Sequence, residues 1–319
     1  IKMKLDQISR LSGRSAGLLA KMVSLAPLLQ VVEFRQDYST SLNIPDKSTF
    51  SGSAARNVGS NFVKDLQSPN PEKVLLASYG REVAVDDLNK FDADISGSPV
   101  GLQRFYDRQL SAAAIRLATE LQADMFIGTG VAPRMLGISN FIKDAPAAGQ
   151  TPALGFTADE QAAMNTQVGL KLDTTANQDA FVEILFKELS KVPGANAIVC
   201  NVNLAARLTT IAKRIGAAGE SLSSFGIPVN TFNNVPIVAL PTDAIPQNES
   251  DGTNTDCTSL YILRNAEELG VAFNTNSGLQ FQDFTDYQTS PQGVARLQIN
   301  LNLVVERTDA IRRLSRIRL

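Results

Sequence analysis

Apolar and polar positions alternate most sharply near the end of the chain, where Leu297, Ile299, Leu301 and Leu303 interleave with Gln298, Asn300 and Asn302. A period of two predicts a long strand with one buried face. A helical period governs the middle: Leu102, Tyr106, Leu110, Ala113, Leu117, Leu121 and Met125 recur every three or four residues. Ser98 and Pro99 supply an N-cap and a first-turn proline, so the pattern predicts one helix over 98–127, roughly 40 Å long at 1.5 Å per residue. Phe181, Leu185 and Leu189 predict a second amphipathic helix over 179–192, closed by Pro193 and Gly194. Beyond it, strands at 197–200, 235–240 and 259–263 and a helix at 203–215 alternate. Leu11, Leu18, Met22, Leu25 and Leu29 also fall at helical spacing. They fit either an arm that needs another surface or an ordinary first helix on its own core.

Residues 36–97 break this regularity. They are rich in Ser, Asn and Gly, with strand-like patches at 49–57 and 73–85 around the turn SPNPEK. The pattern predicts a long two-stranded excursion, and an isolated hairpin is marginal in water, so this one needs a domain or a neighbouring subunit to lean on. Stretches 145–155, 216–226 and 242–256 read as loops, the last polar enough to be exposed.

The chain has 319 residues, 44% of them hydrophobic, with 30 Lys+Arg against 32 Asp+Glu. It can bury a sizeable core, and its net charge of -2 gives no global field toward nucleic acid or an anionic membrane. Histidine is absent. That excludes histidine triads, histidine general bases and histidine metal ligands. Cys200 ends an apolar run and reads as a buried free thiol; with Cys257 far away in sequence, no disulfide framework is expected. Lys21, Ser24 and Pro27 interrupt the most apolar stretch, 18–32, short of a membrane span. A chain that opens at Ile1 is expected to have lost an upstream segment.

MFIGTGVAPRMLGI (125–138) raises the question of a phosphate loop. A Walker loop needs Lys and Ser/Thr after its glycines, and a dinucleotide fingerprint needs a third glycine where Pro133 stands. These glycines also follow a helix, whereas phosphate loops open one. Gly128 and Gly130 read instead as a helix stop. No cofactor, metal site or catalytic group is expected.

The polar excursion, the long helix ending in Gly128, Thr129, Gly130, Arg134, Leu136, Gly137 and Ile138, the stretch NNVPIVAL (233–240) and the strand with a basic tail follow an order that resembles the major capsid proteins of tailed bacteriophages. The resemblance spans essentially the whole chain. It implies an α+β HK97-like fold: an N-arm (1–44), an extended E-loop (45–97), a P-domain (98–194) with the spine helix and the second helix, an A-domain (195–292), and a final strand and tail (293–319) returning to the P-domain. It implies a coat protein that assembles in the bacterial cytoplasm, through hexamers and pentamers, into an icosahedral virion shell around double-stranded DNA, without membrane contact. Portal and scaffolding proteins are the further implied partners, with a decoration protein an optional one.

On that resemblance, Lys64, Asp65, Lys73, Arg81, Glu82, Arg104 and Arg108 are candidate contacts between subunits. Lys2, Lys4, Arg10, Arg312, Arg313 and Arg316 are candidates for weak, sequence-independent contact with packaged DNA. Two rivals stand beside it: an encapsulin-type compartment shell, and an α/β enzyme built around 200–240.

Overall fold

The computed structural model describes residues 2–3, 13–32, 34–36, 41–44, 72–86, 99–131, 133–142, 162–222, 228–266, 270–276, 278–283, 292–305 and 307–319. The chain opens with β1 (Lys2–Met3), α1 (Gly13–Leu25), α2 (Pro27–Val31) and β2 (Phe34–Gln36). The excursion contributes β3 (Ser41–Ile44), β4 (Glu72–Leu75) and β5 (Ala77–Asp86). Then come the spine helix α3 (Pro99–Ile127), α4 (Ile138–Phe141), β6 (Asn165–Gln167), α5 (Thr175–Ser190), β7 (Ala197–Asn201), α6 (Val202–Ile215), β8 (Ala218–Leu222), β9 (Pro228–Phe232) and β10 (Val235–Leu240). The chain ends with β11 (Cys257–Leu263), β12 (Val271–Thr275), β13 (Gln280–Asp283), β14 (Gln292–Val305) and β15 (Ile311–Arg318). Among the described residues no helix is long and apolar enough to cross a membrane.

Two sheets carry the molecule. The first is built on β14, whose one edge pairs with β12 and β13 and whose other edge pairs antiparallel with β5 from Leu301↔Ala77 to Gln292↔Asp86. β2 and β1 extend it beyond β12. The alternation of β14 holds: Leu297, Ile299, Leu301 and Leu303 are buried together with Leu110, Leu117, Leu121 and Met125 of α3. Gln298 and Asn300 turn to the other face, where Gln298 donates to Ser78 of β5 and Asn300 to Asn276.

The second sheet runs β6-β15-β11-β7-β10-β9-β8 and is packed on both faces. Ala197, Val199, Tyr261 and Leu263 point into the same core as α3, while Ile198, Cys200, Leu260 and Ile262 meet α5 and α6. A sheet covered twice explains why β7 and β11 are buried at every residue. Asn201 caps α6 by accepting from the Leu204 N–H at 2.8 Å, and Gly216 ends that helix in the left-handed region.

Several expectations change. The second helix packs on the second sheet with α6 instead of joining the spine helix. The tail does not follow β14: β15 is an internal strand of the second sheet, between β11 and β6, because Ile311, Leu314 and Ile317 are all apolar and buried there. The patch 73–85 is cut at Leu76, with β4 pairing β3 in a separate two-stranded sheet and β5 in the first sheet. The patch 49–57 lies outside the described residues. Met22, Leu28 and Leu29 are buried in the subunit's own core, so the first helices are internal elements and not a free arm. Loop 242–256 is anchored at both ends by buried Ala244 and Ile245 and by a bridge between Glu249 and Cys257.

Candidate functional site

The end of α3 is the most tightly constrained place in the molecule. The Gly128 N–H closes the helix on the Asp124 carbonyl at 2.9 Å, and the chain then folds back so that Thr129 and Leu136 bridge as a miniature antiparallel pair. The Gly130 N–H reaches the Met135 carbonyl at 3.1 Å and the Gly137 N–H reaches the Gly128 carbonyl at 2.8 Å. A side chain on Gly128 would overlap the carbonyl oxygens of Met135 and Asp124, and a Cβ on Gly137 would lie 2.5 Å from the Gly128 nitrogen. These glycines are there so that two backbones can touch. Their N–H groups are spent on carbonyls inside the turn, which accounts for them without a phosphate.

Side chains fasten this turn to its surroundings. Asn140 donates to the Gly128 carbonyl at 2.5 Å. Arg134 reaches Asp124 at 3.3 Å, with Asp124 almost fully buried. Tyr79, near the start of β5, accepts the Met135 N–H at 3.0 Å, with its phenol beside the Asp124 carboxylate. Burial, reinforced by that carboxylate, pushes the Tyr79 phenol up to about 12, so it stays protonated. Asp124 had the pattern of a solvated position. The signal that would have placed it is the partner in the turn, Arg134, ten residues on, which helical periodicity does not reach.

The candidate contact residues on β5 are engaged within the chain. Arg81 pairs with Glu120 of α3, and Glu82 pairs with Arg296, its register partner on β14, at 2.7 Å to the arginine Nε. Arg108 is exposed on α3. Lys64 and Asp65 lie outside the described residues, and of Lys73 and Arg104 only the backbone is described.

The basic tail is spread through a sheet. Arg313 is 7% exposed; its Nη2 donates to Glu249 at 2.9 Å, its Nε to Ser259 at 3.0 Å, and its guanidinium lies 5.9 Å from the Tyr261 ring centre. It is committed inside the chain, which takes it off the list of candidate DNA contacts. Arg312 donates to the Ala163 carbonyl, and Arg318 pairs with Asp256 at 3.2 Å. Arg316 sits at φ 60, opposite the register shift between Thr258 and Leu260. Lys4 and Arg10 lie outside the described residues, and only the backbone of Lys2 is described.

Other chemistry is sparse. A cleft of about 410 Å³ opens between the end of α3, α4 and loop 244–249, with apolar walls (Phe126, Ile142, Ile245) and Glu249 and Arg313 at its base. Its two charged groups face each other and neutralise. Burial pushes the Cys200 thiol up to about 12, as expected for an inert core cysteine. Among the described residues no cluster of His, Cys, Asp and Glu could hold a metal ion.

This architecture has counterparts among solved structures. The capsid of cyanophage A-1(L) superposes with a TM-score of 0.62 at 12% identity, covering 92% of this chain and 93% of that one. The chain has the HK97-like shell fold. The same fold is seen in the capsid of an empty GTA particle, with a TM-score of 0.57 at 14% identity and 92% and 90% coverage. It also appears in the SrpI encapsulin of Synechococcus elongatus PCC 7942, with a TM-score of 0.56 at 14% identity and 97% and 89% coverage. No protein-family model and no curated protein matches the sequence.

Proposed function

We propose that the chain is the coat subunit of an icosahedral phage capsid, assembling with copies of itself into a closed shell around double-stranded DNA. The observation that carries this reading is the end-to-end match to a phage capsid subunit, covering more than nine-tenths of both chains. The internal chemistry agrees: the buried Arg313 is paired with Glu249, the Cys200 thiol is inert, and the glycine turn serves backbone packing. The role is structural, without catalysis. Contacts between subunits are assigned to the excursion around Lys64, Asp65 and Lys73 and to Arg104 and Arg108 on α3. Any DNA contact is assigned to Lys2, Lys4 and Arg10, since Arg313 is withdrawn into the sheet. Portal, scaffolding and decoration proteins are the partners such a shell would recruit during assembly in the host cytoplasm.

A second reading, a compartment shell filled with protein, is favoured by one feature. Helices α1 and α2 pack on the subunit's own core next to α3, with Lys21 donating to Ser111 at 2.9 Å. A chain whose first helix belongs to its own subunit does not need it as a strap over a neighbour.

Electron microscopy with light scattering on the purified protein tests both. Closed shells of uniform diameter are expected, holding nuclease-protected DNA when recovered from producing cells. Shells filled with protein and free of DNA would favour the compartment reading. A stable monomer or dimer under all assembly conditions, including with a scaffold present, would overturn both.

A further inference from the structure

We propose that Tyr79 is a positioning residue that sets the direction in which the excursion leaves the subunit, by tying the root of β5 to the glycine turn at the end of α3. The inference rests on the shell reading only in what the excursion is for; the coupling itself is a property of the single chain.

The argument starts from where the chain changes sheets. β4 ends at Leu75 and belongs with β3; β5 begins at Ala77 and belongs with β14. Leu76 is the only residue between them. Tyr79 is therefore the first side chain of the root that is buried in the core, three residues from the switch. Its phenol reaches the returning segment, accepting from the Met135 N–H, and lies beside the Asp124 carboxylate on the last turns of α3. The same carboxylate holds Arg134, so one tyrosine closes a chain of contacts from the strand through the helix to the returning segment.

Neither end of this tie has slack. The turn cannot relax, because Gly128 and Gly137 are in backbone contact with their neighbours. The strand cannot slide, because a Cβ at Gly80 would stand 3.0 Å from the Leu297 carbonyl of β14, which leaves β5 pressed against its partner immediately beside Tyr79. Two residues along the same face, Arg81 reaches Glu120, one helical turn before Asp124. The strand is thus fixed to the helix at two successive turns, once through an exposed ion pair and once through a buried phenol. Exposed pairs contribute little, so the phenol sets the geometry.

The test compares wild type with Tyr79→Phe, Asp124→Asn and Arg81→Ala by residue-resolved hydrogen exchange on the unassembled full chain, followed by assembly and electron microscopy. Phenylalanine keeps the ring and removes the acceptor of the Met135 N–H. In Tyr79→Phe, exchange at Met135 and across 77–81 is expected to rise together by about tenfold, the scale of one lost hydrogen bond, with 198–200 and 260–262 unchanged. Shells from this variant are expected to lose their uniform diameter. Asp124→Asn leaves the Met135 N–H bond to Tyr79 in place and is expected to retain most of the protection, and Arg81→Ala to behave as wild type. Faster exchange at Met135 with 77–81 unchanged, or an equal rise at every amide, would overturn the coupling. If wild type forms no shells while the coupled exchange is seen, the shell reading fails and the coupling stands; shells of unaltered uniformity from Tyr79→Phe would refute the positioning role alone.

Discussion

Replacing Gly137 by alanine would put a methyl group 2.6 Å from the Phe126 carbonyl carbon, where only backbone can yield. We expect Gly137→Ala to cost about 1–3 kcal/mol in chemical denaturation, as overpacking in a tight core does, whereas the same change at Gly17, which has open space around it, should be close to neutral or stabilising. Charged pairs should divide in the same manner. Glu249→Ala leaves the Arg313 guanidinium buried without its carboxylate and is expected to cost about 3 kcal/mol; Glu120→Ala, at an exposed pair, is expected to cost under about 1 kcal/mol. Equal losses would show that burial does not govern these pairs. Tyr79 makes a prediction in pH. Its folded-state value of about 12 lies above the ordinary 10, so its contribution is fully present below pH 10 and is lost as pH rises through 12. The stability difference between wild type and Tyr79→Phe should therefore be constant up to about pH 10 and shrink between 10 and 12, measured by urea unfolding across that window.

At the scale of elements, Thr174 accepts the Asn177 N–H at 3.3 Å and begins α5, the helix that covers one face of the second sheet. Thr174→Ala is expected to lower stability by about 1 kcal/mol, read from the same unfolding curves. Which elements were legible follows from how locally each is determined. α3 and β14 announce themselves because each has one buried face and hence one clean period. The excursion was legible as polar chain between apolar elements, but not its switch at Leu76, since nothing local tells Leu75 and Ala77 that they belong to different sheets. β15 was missed for a different reason. Its buried Ile311, Leu314 and Ile317 are spaced by three, which no regular strand shows. Ile311 faces the core shared with α3, while the bulge at Arg316, with two residues of β15 opposite Ser259 alone, brings Leu314 and Ile317 together in the second core, and the four arginines among them mask the pattern. The contact from Asp124 to Tyr79 and Arg134 was equally hidden, because it depends on three segments meeting.

At the scale of the molecule, the two sheets share one continuous core around the end of α3, with the second core layered behind the second sheet. The excursion is tied to this mass through β5, which pairs along one margin of the first sheet and meets α3. That margin is made by residues very distant in sequence: Glu82 and Arg296, directly opposed, are 214 positions apart. A ribosome adding residues one at a time finishes β5 long before β14 exists. Until β14 emerges, more than two hundred positions later, β5 lacks its partner strand. Closure of the first sheet along β5 is therefore a late event in the making of this fold, however early the strand itself is synthesised.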